Sequence, residues 1–172
     1  MKKIILLVFF LIAVTKTAFA IVEVDITRGN LEPLPIAVSP LYVQPGSKDI
    51  KQNDKVIKNI GEEISKVIEV NFKRSGLFNP LKKDSFVQSP DIAHVKPRFE
   101  DWRLIKAQAL VTGKVTISDE KLRVEFRLWD VVASKEMLAL AFSTTPDNWR
   151  RVAHIISDKV YQRLTGEKGY FD

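Results

Sequence analysis

The chain has 172 residues, 45% hydrophobic and 28% charged, with no cysteine and two histidines. Such a composition suits one globular domain of roughly 150 residues behind a leader, and it excludes disulfides, thiolate chemistry, cysteine zinc sites and a lipidated cysteine terminus. The formal charge of +6 is not a nucleic-acid signal: three of the 27 basic residues, Lys2, Lys3 and Lys16, lie in the leader, which leaves 24 against 21 acidic, or +3.

Residues 1–20 read as the leader. Lys2 and Lys3 make a positive start, residues 4–14 are an unbroken apolar run, and Ala18-Phe19-Ala20 has the small-x-small form of a cleavage site. The run is too short for a spanning helix, which needs about 20 residues. A Sec-type signal peptide cleaved after Ala20 is expected, with a periplasmic mature chain that has no membrane span.

The mature chain then opens Ile21-Val22-Glu23-Val24-Asp25-Ile26-Thr27-Arg28. Val22, Val24 and Ile26 alternate with Glu23, Asp25 and Thr27, the period of a strand with one apolar and one polar face. Arg28-Gly29-Asn30 breaks it, and Glu32-Pro33-Leu34-Pro35 is a stiff link. Ile36-Ala37-Val38 is a continuous apolar run suited to a strand covered on both faces. The pattern leaves open whether residues 21–28 pair with the domain's own sheet or stand free. Residues 42–48, with Pro45-Gly46, read as a turn.

Residues 54–81 are the organising stretch. Val56, Ile57, Ile60, Ile64, Val67, Ile68 and Phe72 form one apolar stripe at helical spacing, which predicts a long helix capped by Asp54. Gly76 closes it beside Lys73 and Arg74, and Leu77-Phe78 starts a buried strand that ends at Asn79-Pro80. Residues 82–97 read as a polar, proline-punctuated loop, in which His94 has neither a second histidine nor a cysteine to share a metal. Pro97 suits the first turn of a helix over residues 99–108, with Phe99, Trp102, Ile105 and Ala109 turned inward. Glu100 and Asp101 favour its opening turn and are solvated charges rather than an acid/base pair.

Residues 109–117 are a strand, and Ser118-Asp119-Glu120 is a turn. Leu122, Val124, Phe126 and Leu128 then alternate with Arg123, Glu125, Arg127 and Trp129, so one face packs and the other meets solvent or a neighbour. Residues 137–142 complete an antiparallel meander. Gly113 predicts a bulge or a close backbone approach. A last helix runs through residues 147–164, capped by Asp147, with Trp149, Val152, Ile156, Val160 and Leu164 inward and His154 exposed. Gly166 ends it, and Gly169, Tyr170 and Phe171 read as a junction leading into a further domain.

No nucleophile elbow, dinucleotide fingerprint, phosphate loop, zinc-protease motif or calcium loop is present. The residues therefore point to a binding module without catalytic residues, metal or cofactor. The fold expected is α/β: one domain with a mixed sheet of about five strands, flanked by two or three helices.

Several stretches together resemble the TolB family. They are the leader, IVEVDITRG, PIAVSPL, NFKRSGLFNPL, ALVTGKV and SDKVYQRLTGEKGYF, in family order along residues 21–171. The resemblance implies a signal peptide over 1–20, a partner-binding segment and linker over 21–34, an α/β domain over 35–166, and at 167–172 the junction to a β-propeller. It also implies a non-enzymatic role in the Tol–Pal envelope system, which maintains the outer membrane during division. The family's mature N-terminal segment engages the C-terminal domain of TolA, which here is carried by Ile21, Val22, Glu23, Val24, Asp25, Ile26, Thr27 and Arg28. Binding of the lipoprotein Pal belongs to the propeller, so it is not expected of this chain alone. The alternative reading is a small periplasmic hydrolase or ligand-binding protein that uses Glu125 and Arg127 on the sheet's exposed face.

Overall fold

The structure is a computed structural model that describes residues 32–52, 55–118 and 120–172. The first strand, β1 (Leu34–Val38), lies inside the sheet with a neighbour on each side, as its unbroken apolar run requires. It pairs in parallel with β5 (Phe78–Pro80) on one side and β6 (Ala109–Ile117) on the other. β6, β7 (Leu122–Asp130) and β8 (Lys135–Thr144) form the antiparallel meander, so the order is β5-β1-β6-β7-β8. β2 (Tyr42–Val43) also pairs in parallel with β6, which gives the sheet its sixth strand where a turn was expected. The mixed sheet, the meander and the flanking helices are those the sequence predicts.

Two long helices cover one face. α1 (Ile60–Ser75) and α4 (Trp149–Thr165) pack against each other and bury Ile64, Ile68 and Phe72 with Val152, Ile156 and Val160 over the sheet. Gly76 and Gly166 close these helices in the left-handed conformation (φ 72° and 78°), where glycine carries no Cβ penalty. Two short helices, α2 (Pro90–Ala93) and α3 (Phe99–Leu104), cover part of the opposite face over a second apolar cluster that includes Trp102, Leu110 and Trp129.

The helix predicted from residue 54 starts six residues later. Val56 and Ile57 belong to β4 (Lys55–Ile57), which pairs antiparallel with β3 (Ile50–Gln52) in a separate small sheet. Their spacing fits a helical stripe, but Asn59 at φ 55° turns the backbone left-handed, and a helix cannot run through such a residue. Asp54, the predicted cap, lies outside the described residues. Instead the carbonyl of Asn59 receives the amides of Glu62 and Glu63.

Three smaller corrections follow the same logic. α3 stops at Leu104 because Lys106 is left-handed (φ 62°), which frees Ala109 to open β6. Asp147 sits in a 3-10 turn and Asn148 occupies the cap position of α4. Trp129, placed by alternation on the solvent face, is buried beneath α3, and its Nε1 donates to the Thr112 hydroxyl at 2.9 Å.

His154 was also expected to be exposed. It is half-buried between the long helices, with its Nδ1 2.9 Å from the Asn71 amide nitrogen, which also donates to the Ser157 hydroxyl at 2.9 Å. Asn71 is 2% exposed, so its loss would leave buried polar partners without their donor. Asn71→Ala is expected to cost about 1–3 kcal/mol in chemical denaturation, against near zero for an exposed helix position such as Lys66→Ala. Equal stability of the two variants would show that the interhelical bridge is dispensable.

Candidate functional site

Residues 21–28, the predicted partner-binding segment, lie outside the described residues. The structure does show where the chain enters the domain. Glu32 and Pro33 are exposed, and Leu34 begins β1, with its amide on the Leu77 carbonyl and the Gln108 amide on the Pro35 carbonyl. The entry point is thus the end of the sheet where β7 finishes and β8 begins, since Ala109, Asp130 and Lys135 are aligned there. At the same end Leu104 and Val132 are among the most exposed large apolar residues described.

The predicted junction residues are brought together on α4. Asp158 accepts from the amides of Phe171 at 2.8 Å and Asp172 at 3.2 Å, and Arg151 pairs with Asp172 at 3.1 Å. Tyr170 and Phe171 both meet the ring of Tyr161, at 5.5 and 5.8 Å. Gly169 lies so close to Asp158 that a Cβ there would be 2.3 Å from its carboxylate. Burial, with Tyr170 adding to it, raises the Tyr161 phenol. Residues 167–172 are therefore held against α4 by two capped amides, an ion pair and a ring cluster.

The sheet face left uncovered by α2 and α3 carries the charged residues of the alternative reading. Arg123 hydrogen-bonds Glu125 at 3.0 Å and holds its carboxyl below the ordinary range, with Lys114 3.9 Å away. Arg127 pairs with Glu136 at 3.2 Å and donates to the carbonyls of His94 and Val95. His94 stacks on Tyr42 at 4.5 Å between ring centres. A trough of about 440 Å³ runs between His94 and β8, floored by Gly113, Ala139 and Ala141. Gly113 is the close approach the sequence predicts, because a Cβ there would stand 2.3 Å from the Glu125 carbonyl oxygen. The irregularity in pairing lies elsewhere, between Leu128 and Trp129. Glu125 and Arg127 are thus each engaged by neighbours.

Sequence reasoning missed two polar anchors, one buried and one half-buried. Gln88 joins the loop to α3: its Oε1 accepts from the Arg98 amide and Trp102 Nε1, and its Nε2 donates to Asp101. That bond, with the Arg98 ion pair, keeps the Asp101 carboxyl below its ordinary value. Glu69 on α1 pairs with Lys83 at 3.3 Å, while burial raises its carboxyl above the ordinary range. Both link segments far apart in sequence, so no local pattern announces them. Among the described residues no group of acidic, histidine or cysteine side chains could hold a metal, and no helix is long and apolar enough to cross a membrane.

Comparison with known proteins places this arrangement. The chain is 66% identical over 167 residues to the Tol-Pal system protein TolB of Pelagibacter ubique (strain HTCC1062), which covers 97% of this chain and 37% of that protein. It thus spans little more than a third of that relative's length. Its fold matches the crystal structure of TolB from Acinetobacter baumannii, with a TM-score of 0.63 at 21% identity, over 86% of this chain and 32% of the other. It also matches the hypothetical protein CT253 from Chlamydia trachomatis, with a TM-score of 0.55 at 13% identity, over 79% of this chain and all of the other. A family model described as the TolB amino-terminal domain matches residues 22–137, well over half of the chain, and the chain belongs to the TolB family.

Proposed function

We propose that this chain is the non-enzymatic, partner-binding domain of a periplasmic Tol–Pal system protein, and that residues 21–28 dock to the C-terminal domain of TolA. The observation that carries the reading is the 66% identity to a protein named for that system. The role in outer-membrane maintenance during division, cleavage after Ala20, and a propeller beyond residues 167–172 that would bind Pal belong to the same proposal. The strand pattern of Val22, Val24 and Ile26 supports it physically. An alternating segment joined to the domain through the exposed Pro33 can add to the edge of a partner's sheet, with backbone bonds for affinity and alternate side chains for selectivity. Each such bond contributes about 0.5–1.5 kcal/mol net, so four or five sustain a weak, reversible contact after ordering costs.

Deleting residues 21–26 is expected to abolish binding of the TolA C-terminal domain in titration calorimetry while the thermal midpoint stays unchanged. Full binding by the deletion variant would reject the assignment.

A further inference from the structure

β8 is the outer strand of the larger sheet, and among the described residues nothing pairs with its far edge. Its ten residues are long for an edge. The features that usually blunt such an edge gather at one end, in Lys135, Glu136 and the register shift opposite Leu128 and Trp129. Residues 137–144 read MLALAFST, without a charge or a proline. An edge of this kind offers a row of unpaired backbone groups to another strand.

Its two faces differ. On the helix side Leu138, Leu140 and Phe142 stand opposite Leu128, Phe126 and Val124 of the core, and Leu140 keeps 37% of its surface exposed. A cleft of about 180 Å³ beside them is lined by Phe142, Thr144, Arg151, Val152 and Ile155. Arg151, Ile155, Lys159 and Arg163 recur every four residues along α4. Arg151 is paired with Asp172, so Lys159 and Arg163 are the cations of this row that flank the edge. Arg163 Nε donates to the Met137 carbonyl at 3.2 Å, which anchors that row to β8. On the other face Ala139 and Ala141 are small, and the trough they floor leads across β8 to Arg127.

We propose that the outer edge of β8 is a docking site for an extended segment of another protein, with apolar and acidic residues in alternation, that adds to the sheet as a further strand. The backbone supplies the pairing, the exposed leucine and the cleft take the apolar side chains, and the cation row selects acidic ones. A second copy of this chain fits the edge in shape: a two-fold pairing centred on Leu140 sets Leu138 against Phe142 and Ala139 against Ala141. Charge decides against it. Such a pairing would bring two cation rows to face each other across about three strand spacings, or ~14 Å, which long basic side chains largely span. An acidic strand turns that repulsion into attraction.

The test uses the mature chain and two acetylated octapeptides, alternating Val-Glu and alternating Val-Lys, with calorimetry and amide hydrogen exchange. The Val-Glu peptide is expected to bind and to slow exchange at alternate amides of β8, while Val-Lys binds at least about tenfold more weakly. Lys159→Glu, on an exposed helix position, is expected to narrow or reverse that preference. The chain lacking residues 21–26 is expected to bind as well as the mature chain, so this site and the TolA reading fail separately. Equal affinity for the two peptides, unchanged exchange in β8, binding only after residues 21–26 are removed, or concentration-dependent dimers that protect β8 without peptide would each overturn the proposal.

Discussion

Trp102→Ala is expected to lower stability by about 3–5 kcal/mol, the usual cost of emptying a buried tryptophan site. Trp102 is 1% exposed and lies at the centre of the smaller core, with Ala37, Ala93, Phe99, Leu110 and Trp129. Its ring meets Phe86 edge-on at 5.0 Å, and its Nε1 donates to Gln88. Those two contacts hold residues 86–88 to α3, so the loss falls first on the covering loop. Hydrogen exchange should show early opening across residues 82–108 while α1 and α4 stay protected. Trp102→Phe keeps most of the apolar area but gives up the hydrogen bond and part of the ring volume, so a smaller cost of about 1–2 kcal/mol is expected. If urea denaturation gave both variants the wild-type midpoint, the second core would contribute nothing to stability.

Gly61→Ala is expected to destabilise by about 2–3 kcal/mol, although alanine ordinarily improves a helix by about 1 kcal/mol over glycine. The two effects compete, and distance decides between them. A Cβ at Gly61 would stand 1.9 Å from the Leu41 carbonyl oxygen, a backbone atom that cannot swing aside. The first turn of α1 is keyed to the link between β1 and β2. The Leu41 amide donates to the Gly61 carbonyl, and the Ser65 hydroxyl sits within bonding distance of the Ser39 and Gly61 carbonyls. Pushing the helix away would break those bonds and loosen Ile60 and Ile64 from the core. A thermal midpoint equal to or above that of the wild type would show that the helix shifts freely and that propensity wins.

Where pattern and packing agree, the residues predict the fold well. The unbroken Ile36-Ala37-Val38 run is an interior strand, the alternation from Leu122 to Leu128 is β7, and Gly76 and Gly166 stop the two long helices. The pattern misleads where two periodicities coincide. Val56 and Ile57 satisfy a helical stripe but pair with β3, and one left-handed backbone angle at Asn59 separates the readings. Trp129 misleads differently: alternation sets its face correctly, yet α3 packs on that face and buries it.

The candidate site divides along the same line. The alternation of residues 21–28 is legible because a strand's side-chain period is a local property. So are the positive start and apolar run of residues 1–20, and the absence of nucleophile or metal motifs. The Gln88 anchor, the Asn71–His154 bridge and the docking of Phe171 on Asp158 are not local, since each joins residues 10, 83 and 13 positions apart in the chain.

By itself the sequence determined the class of fold, the five main strands of the larger sheet, the two long helices, and the family to which the chain belongs, because each rests on periodicity or on motifs carried by neighbouring residues. Only the tertiary structure decided which edge is left unpaired among the described residues, which face α2 and α3 cover, and that a row of cations lies beside β8. Those depend on which elements come to lie together, and the chain's order does not encode that in any one stretch.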